Sequence, residues 1–294
     1  MHLARRVFLG TAGVLIPRHW CGGELLWAAP DGDEGPRRVQ RNQLFHFRSS
    51  DRAGILLPLY IYPAHIHTHP AYNRVLELKR NYPTVPFWVI VNPASGPGKQ
   101  VDANYARAID RLIGAGCVTL AYVSTAYGRK EPGEIAGELS RWRELYPRIH
   151  GVFFDEMRTE DEPSGVVYQR SLRQQAEQHG YWPSVANPGT DTPERYFAGE
   201  VADVIVIHER DRWPDEARLH GNYFGGYADY PPGTRAVLVY GQRQFDPAAV
   251  RTALRHVRWI YVTHDTYRPN DPAHPNPWDD LSTHLAALCE LLAS

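Results

Sequence analysis

From Gly54 onward the chain repeats one unit eight times: a short, nearly continuous apolar run, then a stretch whose apolar residues fall at helical spacing. The runs are Ile55–Tyr62, Phe87–Asn92, Thr119–Thr125, Gly151–Glu156, Pro183–Asn187, Asp203–Glu209, Ala236–Tyr240 and Trp259–His264. Their apolar residues do not alternate with polar ones, which is how strands buried on both faces read, and this favours a parallel sheet. Between them, Tyr105, Ile109 and Leu112 form one helical stripe, Ile135, Leu139, Trp142 and Leu145 a second, Val250, Leu254 and Val257 a third, and Leu281, Leu285, Leu288, Leu291 and Leu292 a last. Asp102 and Asp246 stand where helices want N-caps, and Gly114 and Gly116 suit a helix end. Eight βα units within residues 54–294 predict an α/β chain folded as one (β/α)8 TIM barrel, a fold of about 250 residues. The rival, an open doubly wound sheet, would carry a Gly-rich phosphate turn after its first strand. Here Pro63, Ala64 and His65 follow instead.

The N-terminal residues read differently. Arg5-Arg6-Val7-Phe8-Leu9 precedes an apolar stretch that runs to Ile16, with Gly10 and Gly13 inside it. Charge, a short apolar segment and then small residues is the layout of a secretory signal, and the paired arginines point to the twin-arginine type. Residues 1–30 are read as that signal region and 31–53, which opens Asp31-Gly32-Asp33-Glu34-Gly35-Pro36, as a linker. The expected location is therefore secreted or cell-envelope. The apolar stretch is too short for a stable membrane span.

Composition removes several functions. With 32 Lys+Arg against 33 Asp+Glu the formal net charge is -1, so no global field draws the chain to nucleic acid or anionic membrane. The three cysteines, Cys21, Cys117 and Cys289, make no zinc spacing. His65, His67 and His69 alternate in a Pro-flanked tract without an obvious carboxylate partner, and a solvated loop is the plainer reading than a metal site. No metal and no cofactor is expected. Nothing in the sequence sets an oligomeric state. Seventeen Tyr and eight Trp suit a groove that stacks on hydroxylated rings, or simply a Tyr-rich core.

In such a barrel the site lies at the C-terminal ends of the strands. Those ends carry Tyr60, Asn92, Tyr122 with Ser124, Asp155 with Glu156, Asn187, His208 with Glu209, Tyr240, and Thr263 with His264. Carboxyls at the lip of an apolar barrel can have their pKa values pushed apart, so that one serves as acid and another as nucleophile or base, the equipment of glycoside hydrolysis. Each has a structural alternative. Asp155 could cap a turn, and Glu209 could pair with Arg210 or Arg212. Asn92 and Asn187, each before a proline, could only shape turns. Asp155 and Glu156, being adjacent, do not both point inward on a regular strand, so one is expected to be oriented by a helix or by an arginine such as Arg158.

Several segments in register resemble the spherulation-specific family 4: Leu57-Pro58-Leu59-Tyr60-Ile61-Tyr62-Pro63, Val91-Asn92-Pro93-Ala94-Ser95-Gly96-Pro97-Gly98, Tyr122-Val123-Ser124-Thr125-Ala126-Tyr127-Gly128, Gly151-Val152-Phe153-Phe154-Asp155-Glu156 and Asn187-Pro188-Gly189-Thr190. The resemblance runs from about Gly54 to the C-terminus. It implies a (β/α)8 glycoside hydrolase that needs no metal, cuts α-1,4-linked N-acetylgalactosamine or galactosamine polymer from within, and retains configuration. The acidic positions it implies are Asp155, Glu156 and Glu209. Of these, Asp155 is expected as nucleophile, Glu209 as general acid/base and Glu156 as a supporting carboxylate, with Glu156 as nucleophile the open alternative. Tyr60, Asn92, Tyr122, Tyr127, Asn187 and Tyr240 are expected to line the sugar subsites. The alternatives are a barrel hydrolase of another or deacetylated glycan, and a non-catalytic glycan-binding protein of the wall or spore coat.

Overall fold

In the computed structural model, eight strands close into one barrel in chain order, every neighbouring pair parallel. The structure describes residues 52–294 apart from 66, 222–225, 227, 228, 269 and 272–275. The signal-like segment and nearly all of the linker lie outside the described residues. The strands are β1 (Gly54–Leu59), β2 (Phe87–Val91), β3 (Val118–Ser124), β4 (Gly151–Asp155), β5 (Ser184–Asn187), β6 (Val204–Arg210), β7 (Arg235–Val239) and β8 (Trp259–Val262). The helices that follow them in turn are α1 (Pro70–Asn81), α2 (Ala103–Gly114), α3 (Pro132–Leu145), α4 (Pro163–Gln178), α5 (Glu194–Ala198), α6 (Glu216–His220), α7 (Pro247–Leu254) and α8 (Leu285–Ala293).

The sequence pattern accounts for most of this. The apolar runs are buried along nearly their whole length, because helices cover one face and the barrel interior the other. Asp102 accepts from the backbone N–H groups of Asn104 and Tyr105, and Asp246 from those of Ala248 and Ala249, so both are N-caps. Most of the strands end one to three residues earlier than the apolar and aromatic runs do. Their last polar residues leave the ladder and turn into the rim. Close approach sets the start of β4, since a Cβ on Gly151 would stand 2.1 Å from the Pro183 carbonyl oxygen. Among the described residues no helix is long and apolar enough to cross a membrane.

Three features position the rim. Ser124 is in register with Asp155, and Asp155 with Asn187, so β3, β4 and β5 present one polar rung. β6 slips register against β7 between Val206 and His208, a bulge that re-aims the residues immediately before Glu209. From outside, Trp142 of α3 donates its indole N–H to the Tyr122 carbonyl at 3.0 Å, pinning the end of β3. The ring closes where Gly54 and Ile55 of β1 pair with Trp259 and Ile260 of β8.

Candidate active site

The rim gathers Asp155 and Glu209 around the side-chain amide of Asn187. Asn187 Nδ2 donates to Asp155 Oδ1 at 2.8 Å and to Glu209 Oε2 at 2.7 Å. The amide cannot turn round without losing a bond, because its Oδ1 accepts from the Gly189 N–H at 2.9 Å. Gly189 sits at φ 65°, where glycine is favoured, and its carbonyl accepts from the Glu209 N–H at 3.2 Å. One turn after β5 thereby fixes both the amide and the residue it bonds. Two oxygens that share one nitrogen can be no farther apart than the sum of their two bonds. This bound applies to one oxygen of each acid and keeps the two carboxyls close.

The two acids differ in their donors. Asp155 Oδ2 accepts from the Tyr122 hydroxyl at 2.8 Å. Burial raises the Asp155 pKa, while the Tyr122 hydroxyl, the Glu156 N–H and the Asn187 amide act against that rise. Glu209 has two donors, Asn187 and the Trp278 indole N–H, the latter at 3.1 Å on Oε1. Burial first, and then the facing Asp155 charge, push its pKa up to about 7. Burial raises both acids, Glu209 to about 7, and the three donors to Asp155 against two to Glu209 favour charge on Asp155.

Glu156 turns away from this pair. Its carboxylate accepts from the Ser124 hydroxyl, and its backbone holds φ 57°. Arg158, an expected orienter, instead pairs with Glu160 at 2.8 Å. The Glu156 carbonyl accepts from the Thr125 hydroxyl at 2.6 Å and from the Tyr127 N–H at 2.8 Å. Ala126 and Tyr127 also take positive φ, 50° and 56°. Three non-glycine residues in the left-handed region, tied to one another beside two buried acids, form a strained patch of the sort that collects at functional sites.

The other rim residues fall into two groups. Tyr60 packs edge-on to Tyr122 at 5.8 Å, and burial followed by the Asp155 charge holds its hydroxyl well above the usual range. Tyr240 packs edge-on to Trp278 at 5.9 Å. Tyr127 is 53% exposed, with the charges of Glu156, Asp155 and Glu209 near enough, after burial, to raise its pKa. Asn92 turns to its own loop, its Oδ1 accepting from the Gly96 N–H at 3.0 Å. Glu209 makes none of the described ion pairs with Arg210 or Arg212. A cavity of about 380 Å³ lined by Trp88, Trp182, Trp259 and Arg258 opens at the other, N-terminal end of the barrel, the end not used for chemistry in this fold.

The sequence profile of spherulation-specific family 4 (Spherulin4) matches residues 54–292. The chain belongs to this family. Spherulin-4 of Physarum polycephalum is 30% identical over 163 residues, 55% of this chain and 46% of that protein, so the chain spans about half the length of this relative. Among solved structures, Aspergillus clavatus Sph3 in complex with GalNAc superposes with a TM-score of 0.69 at 23% identity, covering 83% of this chain and 98% of that one. A GH113 β-1,4-mannanase superposes at 0.50 with 9% identity, covering 83% and 99%. At these identities the likeness is one of fold.

Within this family barrel, one residue of the carboxylate constellation escapes sequence reasoning. Trp278 is buried, donates to Glu209, accepts the Tyr60 N–H on its carbonyl at 3.2 Å, and packs against Tyr240 and Tyr261. The available signal was the length of the connection from Thr263 to His284, since connections that long usually do something.

Proposed function

We propose that this spherulation-specific family 4 barrel is a glycoside hydrolase that cleaves polymer of α-1,4-linked N-acetylgalactosamine or galactosamine from within the chain, with retention. The observation that carries it is the fork of Asn187 between Asp155 and Glu209, which holds the two carboxyls across a short gap, with Glu209 raised to about 7. Asp155 attacks the anomeric carbon while Glu209 gives its proton to the departing glycosidic oxygen. The result is a glycosyl ester on Asp155. Glu209, now ionised, takes a proton from water. That water attacks the same carbon and releases Asp155 as a carboxylate. Glu156 supports the strained loop through Ser124. Tyr60, Tyr122, Tyr127 and Tyr240, with the asparagines, offer rings and hydrogen bonds for sugar units. GalNAc bound to the similar Aspergillus barrel supports the choice of amino sugar. The arginine pair at Arg5 and Arg6 supports export, secreted or held in the cell envelope.

The test is incubation of the purified protein with partially deacetylated galactosaminogalactan, followed by mass spectrometry of soluble oligosaccharides. Wild type is expected to release oligomers, and Asp155→Asn and Glu209→Gln each to lose roughly 10³-fold or more. Product masses report the acetylation preference. Binding without release would make the protein a glycan binder, and release that survives both substitutions would move the site elsewhere.

A further inference from the structure

A second gathering of ligand chemistry lies outside the barrel, where α6 packs beside α7. Glu216 and His220 stand at i and i+4 of α6, the spacing at which a helix presents two side chains on one face. His256 follows α7, held by its N–H to the Ala253 carbonyl at 2.9 Å. Its ring meets that of His220 edge-on, centroids 4.4 Å apart. The nearest ligand atoms of Glu216, His220 and His256 all lie within 4.8 Å of one another. We propose that Glu216, His220 and His256 bind one divalent first-row metal ion, with Zn²⁺ as the probe.

Distance and burial support the site. Two ligand atoms at a tetrahedral angle, each about 2.0–2.2 Å from zinc, stand about 3.3–3.6 Å apart. His256 Nε2 and Glu216 Oε1 are 3.4 Å apart. His256 Nε2 is shut off from solvent and makes no hydrogen bond, a state that costs free energy unless something satisfies it. The competing group is Arg255, which reaches Glu216 Oε1 at 3.1 Å, but both members of that pair are more than half exposed and such pairs are weak. Two imidazoles and one carboxylate suit Zn²⁺ and its neighbours in the series, and leave a fourth position for water. The ion would clip the single turn of α6 to the end of α7. The tract His65, His67 and His69 takes no part in the cluster.

The experiment strips the full chain with chelator and titrates Zn²⁺ by calorimetry, with Co²⁺ as a spectroscopic stand-in. One ion per chain, a visible Co²⁺ spectrum of low-coordinate type, and a Tm raised by roughly 5 °C or more at about a hundredfold over Kd are expected. His220→Ala and His256→Ala should each abolish the saturable event while their metal-free melting stays close to wild type. A variant with His65, His67 and His69 all changed to Ala should keep it. No saturable binding at micromolar Zn²⁺, or binding that survives His256→Ala or fails in the triple variant, would overturn the assignment.

Discussion

The Trp278 indole N–H donates to Glu209 Oε1 at 3.1 Å, joining the loop after the last strand to the acid on the sixth. The bond stabilises the ionised form of Glu209 and so holds its pKa below where burial alone would put it. Trp278→Phe keeps much of the ring packing and removes the donor. The Glu209 pKa should then rise. In the proposed mechanism Glu209 acts protonated, so the alkaline limb of the kcat/KM profile should move to higher pH, by up to about one unit. The rate at the optimum should fall roughly tenfold, as expected for one lost hydrogen bond to a charged group. An unmoved alkaline limb would remove Trp278 from the proton balance.

Tyr122→Phe acts on the other limb. The Tyr122 hydroxyl bonds Asp155 Oδ2 at 2.8 Å and favours its charge. Without it the Asp155 pKa should rise further. Asp155 must be ionised to attack, so the acidic limb should move to higher pH while the alkaline limb changes little. The pH–rate profile of Tyr122→Phe should thus narrow from the acid side, and that of Trp278→Phe widen on the alkaline side. The limbs belong to the pair as a unit, so shifts in the opposite pattern would reverse the roles given to the two acids.

Stability carries the same signature. Glu209 holds its proton to about pH 7 in the fold, whereas an unfolded Glu loses it near 4.3. Between those values the folded state binds more protons than the unfolded one, so stability falls as pH rises, by up to about 1.4 kcal/mol per unit from this group. His150 and His208, pushed down to about 4 mainly by burial, act in the opposite sense from about pH 4 to 6.5. The informative quantity is therefore a difference. Glu209→Gln should gain stability relative to wild type as pH climbs from about 4.5 to 7, measured by denaturant unfolding at a series of pH values. A flat difference would show that Glu209 titrates normally.

The barrel was legible because strands covered on both sides must be apolar throughout, and eight such runs between amphipathic stretches admit few other folds. Asp155 and Glu209 were legible as polar residues closing apolar runs. The bulge at Val206–His208 was not, because an all-apolar run has no alternation for an extra residue to interrupt. Asn187 was visible as a rim residue, but its double bond to the acids depends on the turn at Gly189. Trp278 follows Pro275-Asn276-Pro277, where no periodicity announces a buried side chain. Glu216 and His220 stand four residues apart on α6, and only the packing of α6 beside α7 brings His256 to them.

Ribosomes deliver a chain from its N-terminus. β1 emerges first, and its partner on one side, β8, nearly last. For most of synthesis, then, six apolar residues of β1 have an unpaired edge, an invitation to wrong partners. The connection that leaves the strand covering this edge carries Trp278, the brace of Glu209. A nascent chain stopped after the seventh strand would own both acids and almost every wall, yet have neither a shut cylinder nor the Trp278 bond to Glu209. Closing the sheet and readying the chemistry belong to one late moment in the life of each molecule.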